Sequence, residues 1–258
     1  MAEKRNDEVM GYTHRGTQWE FIQSWPLLGL LTGNYPATGR LKVQHAGLDP
    51  DLFKVNAFAM DGTTRRDLPP VALQRYAEGD KAVPARYARA IALYRKGTLG
   101  SALLTIDGLI KEFPNDPYFH ELRGQMLFEN GRAAEAVPSY RRAVQLVSAN
   151  IIKIDFARAL LETNKPADDQ EAVRNLEIAR QTESDSFELW RLTAAAYSKL
   201  NNPGMTSLAR AEMAIIRGNR AEAQAHAAAA ERQLQSGTPA WQRAQDIKAY
   251  INSRPKKR

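Results

Sequence analysis

The sequence predicts an all-α fold, a solenoid of about ten helices behind an irregular N-terminal arm. Three observations carry that reading. Residues 117–150 place Gly124, Leu127 and Phe128, then Ala136, Tyr140, Ala143 and Val144, at helical separations of three and four. Asn130-Gly131 lies between the two runs, where a left-handed residue lets the chain reverse after a helix. The pattern recurs 34 residues earlier, with Gly97 in the place of Gly131, Ala90 of Gly124, Ala102 of Ala136 and Ile106 of Tyr140. Two helices cannot cover both of their apolar faces alone, so such units stack on neighbours.

Taken in order, residues 1–53 stand apart. Gly11, Gly16, Gly29, Gly33, Gly39 and Gly47, with Pro26, Pro36 and Pro50, interrupt any helical period, which predicts an irregular or disordered arm. Within it Trp19, Phe21, Ile22 and Trp25 are spaced to dock on the repeats. Residues 54–83 read as a linker with one short helix from about Val71. The repeat domain then spans 84–253, opening at Pro84 in the first helical position. Its first pair, PARYARAIALYRKG and LGSALLTIDGLIKEFP, is closed by Pro114. Gly108 in the second of these helices, weaker there than alanine by about 1 kcal/mol, marks a close contact. Pro138 should kink the second helix of the next pair.

The third pair is expected to break step. NIIKIDFARALLETN ends at Asn164, and KPADDQ reads as a loop carrying about two extra residues, with Asp168-Asp169 in a turn. SFELWRLTAAAYSKLNN follows, with Ser186 as N-cap and Asn201-Asn202-Pro203-Gly204 as its turn. Gly218 comes only 17 residues after Asn201, so TSLARAEMAIIRG must serve two pairs at once. AEAQAHAAAAERQLQ and a closing helix TPAWQRAQDIKAYIN, with Thr238 as N-cap and Pro239 at its start, complete the array before a basic tail at 254–258.

Composition narrows the chemistry. At 258 residues, 43% hydrophobic and 25% charged, the chain has the make-up of a folding globular protein. It has no cysteine, which excludes a disulfide framework, thiolate catalysis and cysteine-bound zinc. Of the net charge of +7, four positive charges sit at Arg254, Lys256, Lys257 and Arg258, so the body is only mildly basic and nucleic acid is a poor candidate partner. Trp25–Leu31 is too short for a membrane span, and Glu3, Asp7 and Glu8 stand where a signal peptide carries basic residues, so the chain as it stands reads as cytoplasmic.

No catalytic motif is complete. His120-Glu121 opens like the zinc-peptidase helix H-E-x-x-H, in which histidines four apart share one face and hold the metal, but position 124 is glycine. His14, His45 and His226 lie in other segments. Phosphate-binding loops and nucleophile elbows are absent from the sequence. No catalytic residue, metal or cofactor is expected in this chain.

The order of small residue, aromatic, turn glycine, alanine, aromatic, alanine and closing proline in residues 84–150 resembles the tetratricopeptide repeat family. That resemblance implies stacked helix pairs whose first helices line a concave groove for a protein or peptide partner. By register the groove would hold Tyr87, Ile91, Tyr94 and Arg95 from one helix, Tyr118, Glu121, Gln125, Phe128 and Glu129 from the next, then Arg158, Glu162, Arg191 and Lys199. The resemblance also disfavours one partner class: chaperone carboxylate clamps use lysine and asparagine where this chain has Tyr87 and Ile91.

A narrower resemblance covers about residues 70–250. VPARYARAIALY, PNDPYFHELRGQ, AIIRGNRAEAQAHAAAAERQL and TPAWQRAQDI are similar to the C-terminal repeat region of bacterial M48-family zinc metalloproteases of the β-barrel assembly-enhancing type. It implies a periplasmic setting and a zinc-dependent catalytic domain elsewhere. The expectation is therefore a non-catalytic repeat module that binds protein, the alternative being part of such a peptidase acting in outer-membrane protein quality control with catalysis supplied elsewhere. The oligomeric state is left open by the sequence.

Overall fold

The computed structural model describes residues 14–15, 18–19, 73–74 and 76–253. Among these, ten helices follow one another: α1 Val83–Arg95, α2 Leu99–Glu112, α3 Pro117–Glu129, α4 Ala133–Leu146, α5 Asn150–Glu162, α6 Pro166–Ala179, α7 Phe187–Lys199, α8 Pro203–Ile216, α9 Arg220–Gln233 and α10 Pro239–Ser253. The all-α class expected from the sequence holds across this stretch. Ahead of it stands a two-residue antiparallel ladder, β1 His14–Arg15 against β2 Gln18–Trp19, with His14 opposite Trp19. No strand is expected there from the sequence, because two residues are too few to show an alternating pattern. Leu73 and Gln74 are helical. The remaining expectations for the arm, the linker and the basic tail fall outside the described residues.

The helices begin and end where elementary chain chemistry places them. Asp116 accepts from the amides of Tyr118 and Phe119, Ser186 from Leu189, Asn202 from Met205 and Asn219 from Glu222. The Thr238 hydroxyl takes the Trp241 amide in the same way. Each cap satisfies amides that the first helical turn leaves unpaired. Gly97, Gly131, Asn164, Asn201 and Gly218 all have φ between 54° and 88°. At three of these ends the following amide reaches back five residues, Thr98 to Leu93, Asn202 to Tyr197 and Asn219 to Ala214, closing the helix with a six-residue ring.

Two sequence readings change. Pro166 is the first residue of α6 and not part of a loop, so Asp168 and Asp169 lie in the first helical turn, where negative charge faces the positive end of the helix dipole. The extra residues fall later: Phe187 follows Asn150 by 37 positions against 34 from Val83 to Pro117, and the surplus lies between α6 and α7. Gly204 is the second residue of α8 rather than a turn residue. The left-handed position of that turn is Asn201. Pro138 sits within α4, which continues to Leu146, and both it and Ala134, whose carbonyl loses its amide partner, are exposed to water.

By contact the chain divides into two compact units, Met1–Gly131 with Gln145–Ala149, and Arg132–Val144 with Asn150–Arg258. In the first, Tyr87, Ala90, Ile91, Ile106, Leu109, Phe119, Leu122 and Met126 form one buried cluster. The buried Arg89 donates to the carbonyls of Tyr76, Ala77 and Asp80, tying the segment before α1 to that helix. In the second, α6 packs on α5 and α7, and α8 packs on α7, α9 and α10, so α8 does serve two pairs. Its core around α8–α10 is built largely of Ala211, Ala214, Ala223, Ala227, Ala230 and Ala244, with Ile247 and Ile251 closing it.

Two glycines at equivalent helical positions separate space from propensity. A Cβ on Gly204 would stand 2.8 Å from Leu234 Cδ2 and 3.3 Å from the backbone of Gln233, whereas one on Gly100, the second residue of α2, would meet nothing within 4 Å. Gly100→Ala should therefore raise stability by about 0.5 kcal/mol through the unfolded chain. Gly204→Ala should lower it by about 1 kcal/mol by overpacking. Urea unfolding of the two variants checks the opposite signs.

Candidate partner-binding face

The residues that register assigns to the groove are carried by α1 and α3 in the first unit. Tyr87 and Ile91 are buried, and the Tyr87 ring lies 5.5 Å from that of Phe119. Their area goes into packing α1 on α3. Tyr118, Glu121 and Gln125 are also buried, and burial, then the nearby Glu121 and Asp116 charges, pushes the Tyr118 phenol well above its ordinary value. Tyr94, Arg95, Phe128 and Glu129 are half-buried and reach the surface of this face. Glu129 joins the two helices: it accepts from the Tyr94 hydroxyl across the pair and from Gln125 Nε2 at 2.9 Å along its own helix. Burial, reinforced by Glu129, raises the Tyr94 phenol far enough that it stays a donor.

In the second unit α5 and α7 carry a ladder of charge. Arg158 lies 2.9 Å from Asp155 Oδ1 and 3.1 Å from Glu188 Oε1, and Arg191 binds the same Glu188 at 2.6 and 2.7 Å. Glu188 thus holds both arginines, one from each helix. Burial pulls its carboxyl upward, but the Arg191 hydrogen bond and the Arg158 and Arg191 charges outweigh that and hold it below the ordinary range. Lys199 is a positioning group: it donates to the Leu161 carbonyl and to Asn164 Oδ1 at 2.7 Å, covering the C-terminal end of α5. Glu162 is exposed.

Asp155 and Glu188 are the members that register alone misses. Each lies three residues before an arginine on its helix, the spacing at which acid and base meet on a helical surface, and that signal would have found them. The two sets, Tyr94–Gln125–Glu129 and Asp155–Arg158–Glu188–Arg191, lie on the first helices of consecutive pairs within their own units. Among the described residues no group of three or more metal-ligating side chains is positioned to hold an ion. His120 Nε2 lies 2.9 Å from the Pro114 carbonyl while Glu121 is buried. No described helix is long and apolar enough to cross a membrane.

Residues 87–151 match the tetratricopeptide repeat family model. Over that stretch the chain is similar to tetratricopeptide repeats. It is also 25% identical over 189 residues to the β-barrel assembly-enhancing protease of Escherichia coli (strain K12) and, equally, to that of Shigella flexneri, in each case over 72% of this chain and 38% of the relative. The chain thus spans well under half the length of these relatives. Among solved structures it resembles MamA (41-end) from Desulfovibrio magneticus RS-1, with a TM-score of 0.50 and 17% identity over 68% of this chain and 96% of that one. An RS-1 MamA double mutant gives 0.50 and 17% over 69% and 100%. These two likenesses concern the fold alone.

The Glu188 ladder has a pH signature. Its folded carboxyl is held below 4.5, the value without partners, so its contribution is present above that value and is lost as pH falls through the depressed one. Glu188→Gln should lower stability by about 1–2 kcal/mol near neutral pH, since charged hydrogen bonds are partly offset by solvent exposure. The difference from the parent chain should shrink as pH drops from about 6 to about 3. Denaturant unfolding across that range measures it.

Proposed function

We propose that this chain is a non-catalytic binding module that holds a protein partner in extended or helical form on the first-helix faces of its tetratricopeptide repeats. The observation that carries the reading is that the side chains on these faces are held in place before any partner arrives. Tyr94 is fixed to Glu129, and Arg158 and Arg191 are fixed to Glu188. A face with fixed side chains loses less conformational freedom on binding than a free one, which favours affinity. Tyr94 and Phe128 supply aromatic area, and the surrounding charges of both signs would set register.

The similarity to the β-barrel assembly-enhancing proteases favours a second reading, in which the module presents outer-membrane substrates to a zinc peptidase domain carried elsewhere. The two readings share the face and differ in what stands beside it. Added to the catalytic domain of such a peptidase, the chain should shift which unfolded outer-membrane proteins are cleaved; unchanged cleavage removes the second reading and leaves the first.

A photoreactive phenylalanine analogue at position 128 should crosslink to bound partner peptides. The same analogue at position 104, where Leu104 is an exposed residue of the second helix α2, should not. Tyr94→Ala together with Phe128→Ala should weaken peptide binding about tenfold or more, as loss of aromatic anchors does, while circular dichroism stays helical. Equal crosslinking at 104 and 128 sinks the assignment of the face.

A further inference from the structure

The face of the first unit carries a carboxylate whose charge its own partners leave unanswered. Glu129 accepts from two neutral donors, the Tyr94 hydroxyl and the Gln125 amide, and neither brings a positive charge. Arg123 on the same helix is bound instead to Asp107 at 2.7 Å. Beside Glu129, the other end of the Gln125 amide is buried and Oε1 has no hydrogen-bond partner, although the side chain is only 6% exposed. A buried acceptor left unmade is costly. A charged acceptor and a neutral one, held on one amide–carboxylate pair, are satisfied together by one cationic donor.

Resting on the binding-module reading above, we propose that this place is a subsite for a single lysine or arginine side chain of an extended partner peptide, its cationic head donating to Glu129 and to Gln125 Oε1. The aliphatic stem of such a side chain has apolar surface to lie on, because the half-buried Tyr94 ring borders the carboxylate. A ring face next to a cation adds to the attraction. The charge logic selects against an acidic side chain, which would meet Glu129 without a compensating cation. The ladder in the second unit offers no such vacancy, since Glu188 is already held by two arginines.

Oriented peptide libraries with a fixed central lysine, arginine, glutamine or glutamate and randomised flanks, passed over the full chain, test this. The lysine and arginine libraries should be retained about tenfold better than the glutamine library at low salt, the effect expected of one charged hydrogen bond, and the margin should fall as salt rises. Glu129→Gln should erase the margin, so that the variant retains its lysine and arginine libraries no better than its glutamine library. Tyr94→Phe, which keeps the carboxylate and removes a neutral donor, should preserve the margin and guards against a merely misfolded variant. Equal retention of all four libraries, or an undiminished margin in Glu129→Gln, overturns the subsite and leaves the binding module standing. Failure to retain any library removes both. Tighter binding by a chain ending at Ser253 would give the subsite to the chain's own basic tail and overturn the assignment to a partner.

Discussion

Close approach between helices is the constraint on which this fold depends, and alanine sets it. Ala90, Ala102, Ala136, Ala157, Ala211, Ala223, Ala227, Ala230 and Ala244 are wholly buried. A methyl group removes little apolar surface from water, so each contributes modestly on its own. What it provides is proximity: backbones come near enough for the larger residues beside them, such as Phe119, Phe156, Leu160 and Leu176, to fill the interior. Gly204 carries this to its limit, where a methyl group would press on the Leu234 side chain and stand tight against the backbone of Gln233. Enlarging these positions would overpack the core, because none of them is open to solvent.

Helices brought that close still need their relative placement fixed, and long polar side chains do so between alternate helices. Tyr94 of α1 meets Glu129 of α3, Arg141 of α4 meets Glu171 of α6, Arg158 of α5 meets Glu188 of α7, and Arg243 of α10 meets Glu212 of α8. Alternate helices share less apolar contact than neighbours do, so directional bonds carry more of the specificity there. Arg141 and Glu212 show how this is done near the surface: the first also lies over the Phe156 ring, and the second is almost fully buried and bound in two places by Arg243. Such bidentate pairs contribute geometry as much as energy.

Much of this was legible in the sequence, and the part that was not has physical reasons. Left-handed turn residues, helix caps and the double duty of α8 follow from local chain chemistry, which acts over a few residues and leaves a direct imprint on the sequence. Pro166 misled because proline both ends loops and starts helices, and its neighbours Asp168-Asp169 suit either setting. Gly204 misled for a similar reason: next to Pro203 it reads as a turn, while its need arises from Leu234, thirty residues on. At the candidate face, register gives the side of the helix but not the depth. Tyr87, Ile91 and Tyr118 share the register of surface residues and are nevertheless buried, because first helices also pack on one another. Glu188 and Asp155 are within reach through their spacing to Arg191 and Arg158, although acids on a helix also read as solvated charge.

The two faces differ in what a partner would have to do. At Asp155–Arg158–Glu188–Arg191 the charges already satisfy one another, and a ligand group that displaced one member would strand another beside it. That face therefore contributes a fixed shape and a rim of polar contacts, and its arrangement is best left intact on binding. At Glu129 the opposite holds: its two donors orient the carboxylate without neutralising it, so a positive group adds a bond and breaks none. Selectivity by charge follows from the second arrangement and cannot follow from the first, because discrimination requires that the wrong side chain leave something unpaired. Within one repeat architecture, the pairing chosen for a single glutamate thus decides whether its position stiffens the face or reads the partner.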